Sequence, residues 1–327
     1  MDTRPLGTTG ADVTEVGLGT WKLGGDWGDV AEADAREAIE AALDVGVNFL
    51  DTADVYGGGR SERLVSDVLA ERAESPFVAT KAGRGLDPHT ADRYTEENLR
   101  AFVEDSRDRL DVDSLDLLQL HCPPTDVYYN PEVFEALESF REAGLVDHYG
   151  VSVERVEEGL KAIEYPGVET VQIIFNPFRQ RPAERFLREA ARENVGVIVR
   201  VPLASGLLTG SLTADTEFPE NDHRNFNRHG EAFDVGETFA GVPFERGLEA
   251  VDAVSPLVPE GQSMAQFSLR WILDHEAVTT VIPGSASPEH IRDNVAAADL
   301  PRLSADRHAG VREVYDEYVR EHVHQRW

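Results

Sequence analysis

Eight short apolar runs alternate with eight longer amphipathic segments, and this alternation limits the fold more than any other feature of the chain. Strands are expected at 16–20 (VGLGT), 47–51 (VNFLD), 77–81 (FVATK), 115–121, 148–152, 170–175, 196–200 and 278–283. Helices are expected at 31–44, 61–73, 95–110, 131–143, 154–163, 183–194, 263–274 and 288–298. In the first of these, Ala35, Ala38, Ile39, Ala42 and Leu43 share one helical face, and Gly46 follows as a stop. Eight of each is the count of a closed parallel (β/α)8 TIM barrel, an α/β fold in which residues 1–327 make a single domain. A doubly wound open sheet alternates in the same way. Its usual sign is a GxGxxG turn after the first strand, whereas here "GLGTWKLGG" runs past Trp21 and Lys22, and "GGGRSE" lacks the third glycine.

Barrel active sites lie at the carboxyl ends of the strands. Those ends read Thr20 and Trp21, Asp51, Lys81, His121, Ser152, then Gln172, Arg200 and Ser285. Asp51, Lys81 and His121 end consecutive strands, and Tyr56 follows Asp51 in "FLDTADVYGGGRSE". Each alone has a plain structural reading, an ion pair or a satisfied core histidine. Together they make a chemical set: a phenol able to give up a proton, an ammonium to stabilise the phenolate, a carboxylate to hold that ammonium, and an imidazole to bond a carbonyl oxygen. None of them is a hydride source, so the set requires a cofactor.

Composition narrows the partners. Against 31 basic residues stand 61 acidic ones, a formal net charge of -30, and only Lys22, Lys81 and Lys161 are lysines. So negative a surface repels nucleic acid and anionic membranes. Acids spread along the whole chain, with lysine scarce, predict adaptation to concentrated salt, where the Debye length falls to about 3 Å at 1 M; an ordinary acidic protein is the alternative. No apolar run approaches the roughly 18 to 20 residues of a membrane span, and the first residues carry no secretory pattern, so a soluble cytoplasmic protein is expected. Cys122 is the only cysteine, which removes disulfides and thiolate clusters; it reads as a small apolar filler. His223, His229, His322 and His324 show no metal-ligand spacing, and no metal is expected.

"RPLGTTGADVTEVGLGTW", "FLDTADVYGGGRSE", "FVATKAG", "LLQLHCP", "VQIIFNPF", "PLASGLLTG" and "VIPGSASPEHIRDN" occur in that order, and with them the chain resembles the aldo-keto reductases over essentially its whole length. The resemblance implies a β-hairpin cap near residues 3–16, a C-terminal helix, and a nicotinamide dinucleotide bound without a Rossmann domain. It makes Tyr56 the proton donor, Lys81 and Asp51 its tuning pair, and His121 the group that orients the carbonyl. Cofactor contacts are implied at Gly19, Thr20, Ser152, Gln172, Arg200, Val201, Pro202, Leu203, Ser205 and Leu207, and around the adenosine at Ser285, Ser287, His290 and Asn294. Three departures stand out. Val153 replaces the usual asparagine; Arg200 stands where an aromatic often stacks on the nicotinamide, and either stacks there itself or pairs with a wall carboxylate; His290 replaces the arginine that clamps a 2'-phosphate. NADP(H) is the family default, with NAD(H) or dual use open through His290. Trp21, Trp27 and Tyr128 are expected in the substrate pocket, with the C-terminal "VHQRW" nearby, and the partner is a small carbonyl compound or alcohol. Residues 205–262 read as a long irregular connection, either a lid over the pyrophosphate or a surface insertion. Competing readings are a non-catalytic cofactor sensor, such as a channel β-subunit-like protein, and a hydrolase using Asp51 with Asp54.

Overall fold

The computed structural model describes residues 1–25 and 27–327. Two short strands come first, β1 (Thr3–Pro5) and β2 (Asp12–Thr14), antiparallel with Thr3 opposite Thr14. Eight parallel strands follow: β3 (Leu18–Gly19), β4 (Phe49–Asp51), β5 (Phe77–Ala82), β6 (Leu115–His121), β7 (Val146–Ser152), β8 (Val168–Ile174), β9 (Gly196–Arg200) and β10 (Thr280–Val281). Neighbours in sequence are neighbours in the sheet. The last meets the first through a parallel bridge of Val16 and Val281, where the Gly17 N–H donates to the Val281 carbonyl at 2.9 Å. The expected (β/α)8 barrel with its hairpin is the observed fold.

Strand periodicity sorts the lumen into layers, because residues two apart share a face. Phe49, Ala79, Leu117 and Ile198 form an apolar cluster with Ile282 and with Leu6 and Val13 of the hairpin. The hairpin therefore plugs the amino-terminal mouth. Two residues further along the same strands stand Asp51, Lys81, Gln119 and Arg200, so the polar layer lies at the carboxyl mouth. Gln172 on β8 reaches Asp51 on β4, a contact that crosses the lumen.

Helices cover the outside close to the expected places, such as Glu32–Asp44, Glu96–Leu110 and Pro131–Glu142. Ser263 and Gln266 close a capping box at the start of Met264–Leu273, Ser263 Oγ accepting from the Gln266 N–H at 3.1 Å. The region 205–262 departs from expectation, since it contains a regular helix, Phe244–Val254, with Phe244, Gly247, Ala250, Val251 and Val254 on its buried face. That spacing was legible, but the irregular run before it masks the helical period. Ala305–Val314 continues through a π turn to Arg320–Val323. Trp327 then tucks in, its indole N–H donating to Asp234 Oδ1 at 2.8 Å and its ring lying 4.0 Å from the Arg179 guanidinium. Among the described residues no helix is long and apolar enough to cross a membrane.

Gly150 marks a register shift between β7 and β8. A methyl group there would sit 2.5 Å from the Thr170 carbonyl oxygen and press on its hydroxyl as well. Gly150→Ala is therefore expected to lower stability by about 1–3 kcal/mol, the usual cost of overpacking, read from urea denaturation midpoints.

Candidate active site

Lys81 is fully buried near the carboxyl end of β5. A lone ammonium there is untenable, and its three hydrogens are matched by three oxygens: Asp51 Oδ1 at 2.6 Å, the Thr52 carbonyl at 2.7 Å and the Tyr56 hydroxyl at 3.3 Å. Asp51 Oδ2 accepts in turn from Gln172 Nε2 at 2.7 Å and Gln119 Nε2 at 3.3 Å. Burial pulls the Lys81 ammonium down, but Asp51 and Tyr56 outweigh it and hold it above its ordinary value. For Tyr56 burial is the larger effect and pushes the phenol up to about 12 against the pull of Lys81. The resting phenol is thus less acidic than the sequence led us to expect, because desolvation exceeds the influence of the ammonium. It remains protonated at neutral pH.

His121 stands edge-on to Tyr56, with ring centroids 5.9 Å apart. Burial, then the charges of Arg84, Lys81 and Arg200, hold its imidazole well below the usual range, so it is neutral. Arg84 NH1 lies 3.4 Å from His121 Nε2, and Arg84 NH2 donates to Glu237 Oε1 at 2.7 Å. Arg200 NH2 reaches Glu154 at 2.9 Å and the Val153 carbonyl at 3.1 Å, and NH1 reaches Glu237 at 3.5 Å. Arg200 thus pairs with two wall carboxylates, Glu154 and Glu237. Burial pushes the Cys122 thiol up, and its sulfur contacts Arg200 NH2 at 3.4 Å, consistent with an inert filler. Cys122, Glu154 and Glu237 present donor atoms within 4.8 Å of one another, but the Arg200 guanidinium contacts all three and supplies the positive charge.

A cavity of about 460 Å³ opens over this layer. It is lined by Trp21, Trp27, Asp51, Tyr56, His121 and Gln172, by Arg200–Leu203 and Ser205 after β9, and by Ser285, His290, Asp293 and Asn294 after β10. Lys22 and Arg224 line it as well. Burial, then the neighbouring Arg224, pull the Lys22 ammonium below its ordinary value, with Asp222 opposing. Arg224 is paired with Asp222 at 2.7 Å, and Lys22 stands beside that pair. Val201, Ala204 and Ser205 take left-handed backbone angles (φ 50, 48 and 53°), which curl the chain tightly around the cavity wall. The lining offers donors, among them Lys22, that fit an anionic ligand such as a dinucleotide.

The sequence profile of the Aldo/keto reductase family matches residues 15–316. The chain belongs to the aldo/keto reductase family. It is 30% identical to the oxidoreductase YqkF of Bacillus subtilis over 311 residues, 94% of both chains. It is 28% identical to the NADH-specific methylglyoxal reductase of Escherichia coli, over 92% of this chain and 95% of that one. Its structure superposes on the glycerol dehydrogenase of Gluconobacter oxydans with a TM-score of 0.77 at 30% identity, covering 99% of this chain and 96% of the other. It is accordingly an NAD(P)H-dependent, carbonyl-reducing oxidoreductase.

Within this aldo/keto reductase, Gly19, Trp21, Trp27, Asp51, Tyr56, His121, Gln172, Arg200, Val201, Pro202, Leu203, Ser205, Ser285, His290 and Asn294 line this one cavity. Others stand behind the wall. Thr20 donates its hydroxyl to the Asp51 carbonyl, Ser152 Oγ lies 3.5 Å from Gln172 Oε1, Leu207 packs on Gly247, and Ser287 caps the helix Pro288–Ala296. Tyr128 requires correction: it is fully buried, its hydroxyl donates to the Ser152 carbonyl at 3.4 Å, and it lines no part of the cavity. Trp327 likewise packs on Arg179 away from the cavity. Lys22, Arg84, Gln119, Arg224, Glu237 and Asp293 were missed. Gln119 was legible two residues before His121 on one strand face, and Lys22 as one of three lysines; Arg224 and Glu237 sit in the aperiodic region.

Asp54 does not line the cavity, which leaves the paired-carboxylate hydrolase without its second acid. Burial, then the charge of Glu62, push its carboxyl up to about 7, with Arg109 and Lys81 opposing. The folded state therefore holds this proton more tightly than the unfolded chain does. Its contribution to stability is complete below about pH 4 and is lost as pH rises through about 7. Asp54→Asn, which mimics the protonated form, is expected to flatten the fall in unfolding free energy between pH 4 and 8, measured by urea titration at each pH.

Proposed function

We propose that the whole chain, residues 1–327, works as one unit that reduces an aldehyde or ketone, and reversibly oxidises the alcohol, with Tyr56 as the proton donor. The observation that carries this reading is the Lys81 ammonium, 2.6 Å from Asp51 and 3.3 Å from the Tyr56 hydroxyl. The bound nicotinamide dinucleotide supplies the hydride. As the carbonyl oxygen becomes an alkoxide, the phenol gives it a proton, and the phenolate left behind faces Lys81. At a separation near 4 Å and an effective dielectric of 20, that attraction is on the order of 4 kcal/mol. Asp51 keeps Lys81 oriented, and Gln119 and Gln172 keep Asp51 oriented. His121 lies beside the place where the carbonyl oxygen would rest.

Trp21 stacks toward Tyr56 at 6.1 Å and meets Trp27 at 5.5 Å, so the substrate mouth is an aromatic wall suited to small carbonyl compounds. The relatives named for methylglyoxal and glycerol support a small substrate. Around the adenosine end the lining includes the carboxylate Asp293, which accepts from Ser263 Oγ at 2.9 Å and Gln266 Nε2 at 2.7 Å. A 2'-phosphate there would meet negative charge, so we place NAD(H) alongside the NADP(H) default as a working cofactor. Segment 205–262 brings Arg224 and Glu237 to the cavity, which supports its role as a cover. The charge of -30 and three lysines support salt adaptation, and the single cysteine supports a cytoplasmic setting.

Tyr56→Phe is expected to lower kcat for reduction of a simple aldehyde by about 10²–10⁴-fold while leaving cofactor affinity unchanged. Cofactor binding without turnover in the parent protein would instead identify a sensor. In the same assay NADH should support turnover at a rate comparable to NADPH, and activity should rise with potassium chloride into the molar range.

A further inference from the structure

Beside Tyr56 and His121 lies a second, smaller cavity of about 320 Å³, lined also by Arg84, Glu237, Phe226 and Phe233. Glu237 lines both cavities and is the carboxylate shared by Arg84, at 2.7 Å, and Arg200, at 3.5 Å. No barrel strand sets its position, for it ends the turn Val235–Glu237 in the long segment after β9. Trp327 is what holds that turn. Its indole N–H donates to Asp234 Oδ1 at 2.8 Å, and the same oxygen accepts from the Gly236 N–H at 2.6 Å, while the Glu237 N–H bonds the Asp234 carbonyl at 3.0 Å. Gly236 and Gly241 rest against the indole: a methyl group on the first would sit 2.8 Å from the ring and one on the second 2.6 Å from it. Trp327 is fixed in turn by the Arg179 guanidinium, 4.0 Å from its ring, and by Arg181 NH1, which bonds its carbonyl at 2.6 Å. Arg179 is itself buried, and its two terminal nitrogens have no hydrogen-bond partner among the described residues. The ring face and the charges of Glu154 and Asp234 are what compensate it.

We propose that Trp327, which stands outside both cavities, is a positioning residue for Glu237, and that Glu237 sets the charge of the substrate, disfavouring carbonyl compounds that carry a carboxylate. The proposal rests on the reading of Tyr56 as proton donor to a carbonyl beside these walls. A carboxylate brought into the smaller cavity meets Glu237 as well as Arg84, and finds the guanidinium already paired. Without Glu237 in place, Arg84 loses the carboxylate that neutralises it, whereas Arg200 keeps Glu154 at 2.9 Å. An anionic substrate would then take the vacated position on Arg84. Removal of the indole deprives Asp234 Oδ1 of one donor, Gly236 and Gly241 of the surface they rest on, and Arg179 of its ring. The turn that carries Glu237 is then free to leave the two guanidinium groups, so a residue outside the cavities alters which substrates enter.

The test compares benzaldehyde with 4-carboxybenzaldehyde, which differ by one charged group, on the full-length protein with saturating cofactor at one potassium chloride concentration. The readout is the ratio of their kcat/KM values within a single preparation, which a misfolded fraction leaves unchanged. The parent should favour benzaldehyde. Glu237→Gln is expected to move the ratio about tenfold or more toward the carboxylated aldehyde, and Trp327→Ala about fivefold or more in the same direction. The double variant should match Glu237→Gln within about twofold, since both changes act through one carboxylate. A parent that prefers 4-carboxybenzaldehyde, a smaller shift in Trp327→Ala, or single shifts that multiply in the double variant overturns the proposal. Should Trp327→Ala yield no folded protein, Trp327→Phe, which keeps a ring beside Arg179 but has no N–H for Asp234, carries the same test with a shift of about threefold or more. Tyr56→Phe separates the two assignments: it should depress both aldehydes together, whereas full activity there removes the proton donor and leaves the Trp327 ratio to be read alone. Failure of the parent to turn over either aldehyde overturns both.

Discussion

The buried ammonium of Lys81 organises the rest of the site. Removing such a charge from water costs several kcal/mol unless partners surround it, and here Asp51, the Thr52 carbonyl and Tyr56 do so. The requirement spreads outward. Asp51 brings in Gln119 and Gln172, so one polar layer ties together strands β4, β5, β6 and β8 across the lumen. Apolar packing below it, closed by Leu6 and Val13 of the hairpin, keeps water from the other side. The same dryness that makes the pair costly also raises the resting phenol, and so keeps a proton on Tyr56 until charge develops beside it.

A second charged layer sits above the first. Arg84 and Arg200 converge on Glu237, which comes from the long segment after β9, and Arg200 also holds Glu154. Burial raises Glu154, while the two arginines hold Glu237 below its ordinary value. The cavity lining sets Lys22, Arg200 and Arg224 against Asp51, Glu237 and Asp293, inside a chain of net charge -30.

Legibility followed the range of the interaction. β6 and β9 could be read to the residue because each is a short run rich in Leu, Val or Ile, and Asp51 and Lys81 stood out as charges at or near the ends of such runs. The helix Phe244–Val254 was hidden by the irregular stretch before it, and Tyr128 was misplaced because an aromatic on a loop near the mouth can turn either way. Arg84 carried no signal at all. Its partner Glu237 lies 153 positions away, and nothing local links them.

From sequence alone came the number and order of the barrel strands, the carboxyl-end position of the reacting groups and the acidic exterior. Each of these is a property of periodicity, spacing or composition, and so is written in short stretches of chain. Only the tertiary structure decided which charges meet, that Arg200 pairs with carboxylates, that His121 faces Arg84, and that burial outweighs Lys81 at Tyr56. Those outcomes depend on desolvation and on distances between residues far apart in the chain, and neither exists until the barrel has closed.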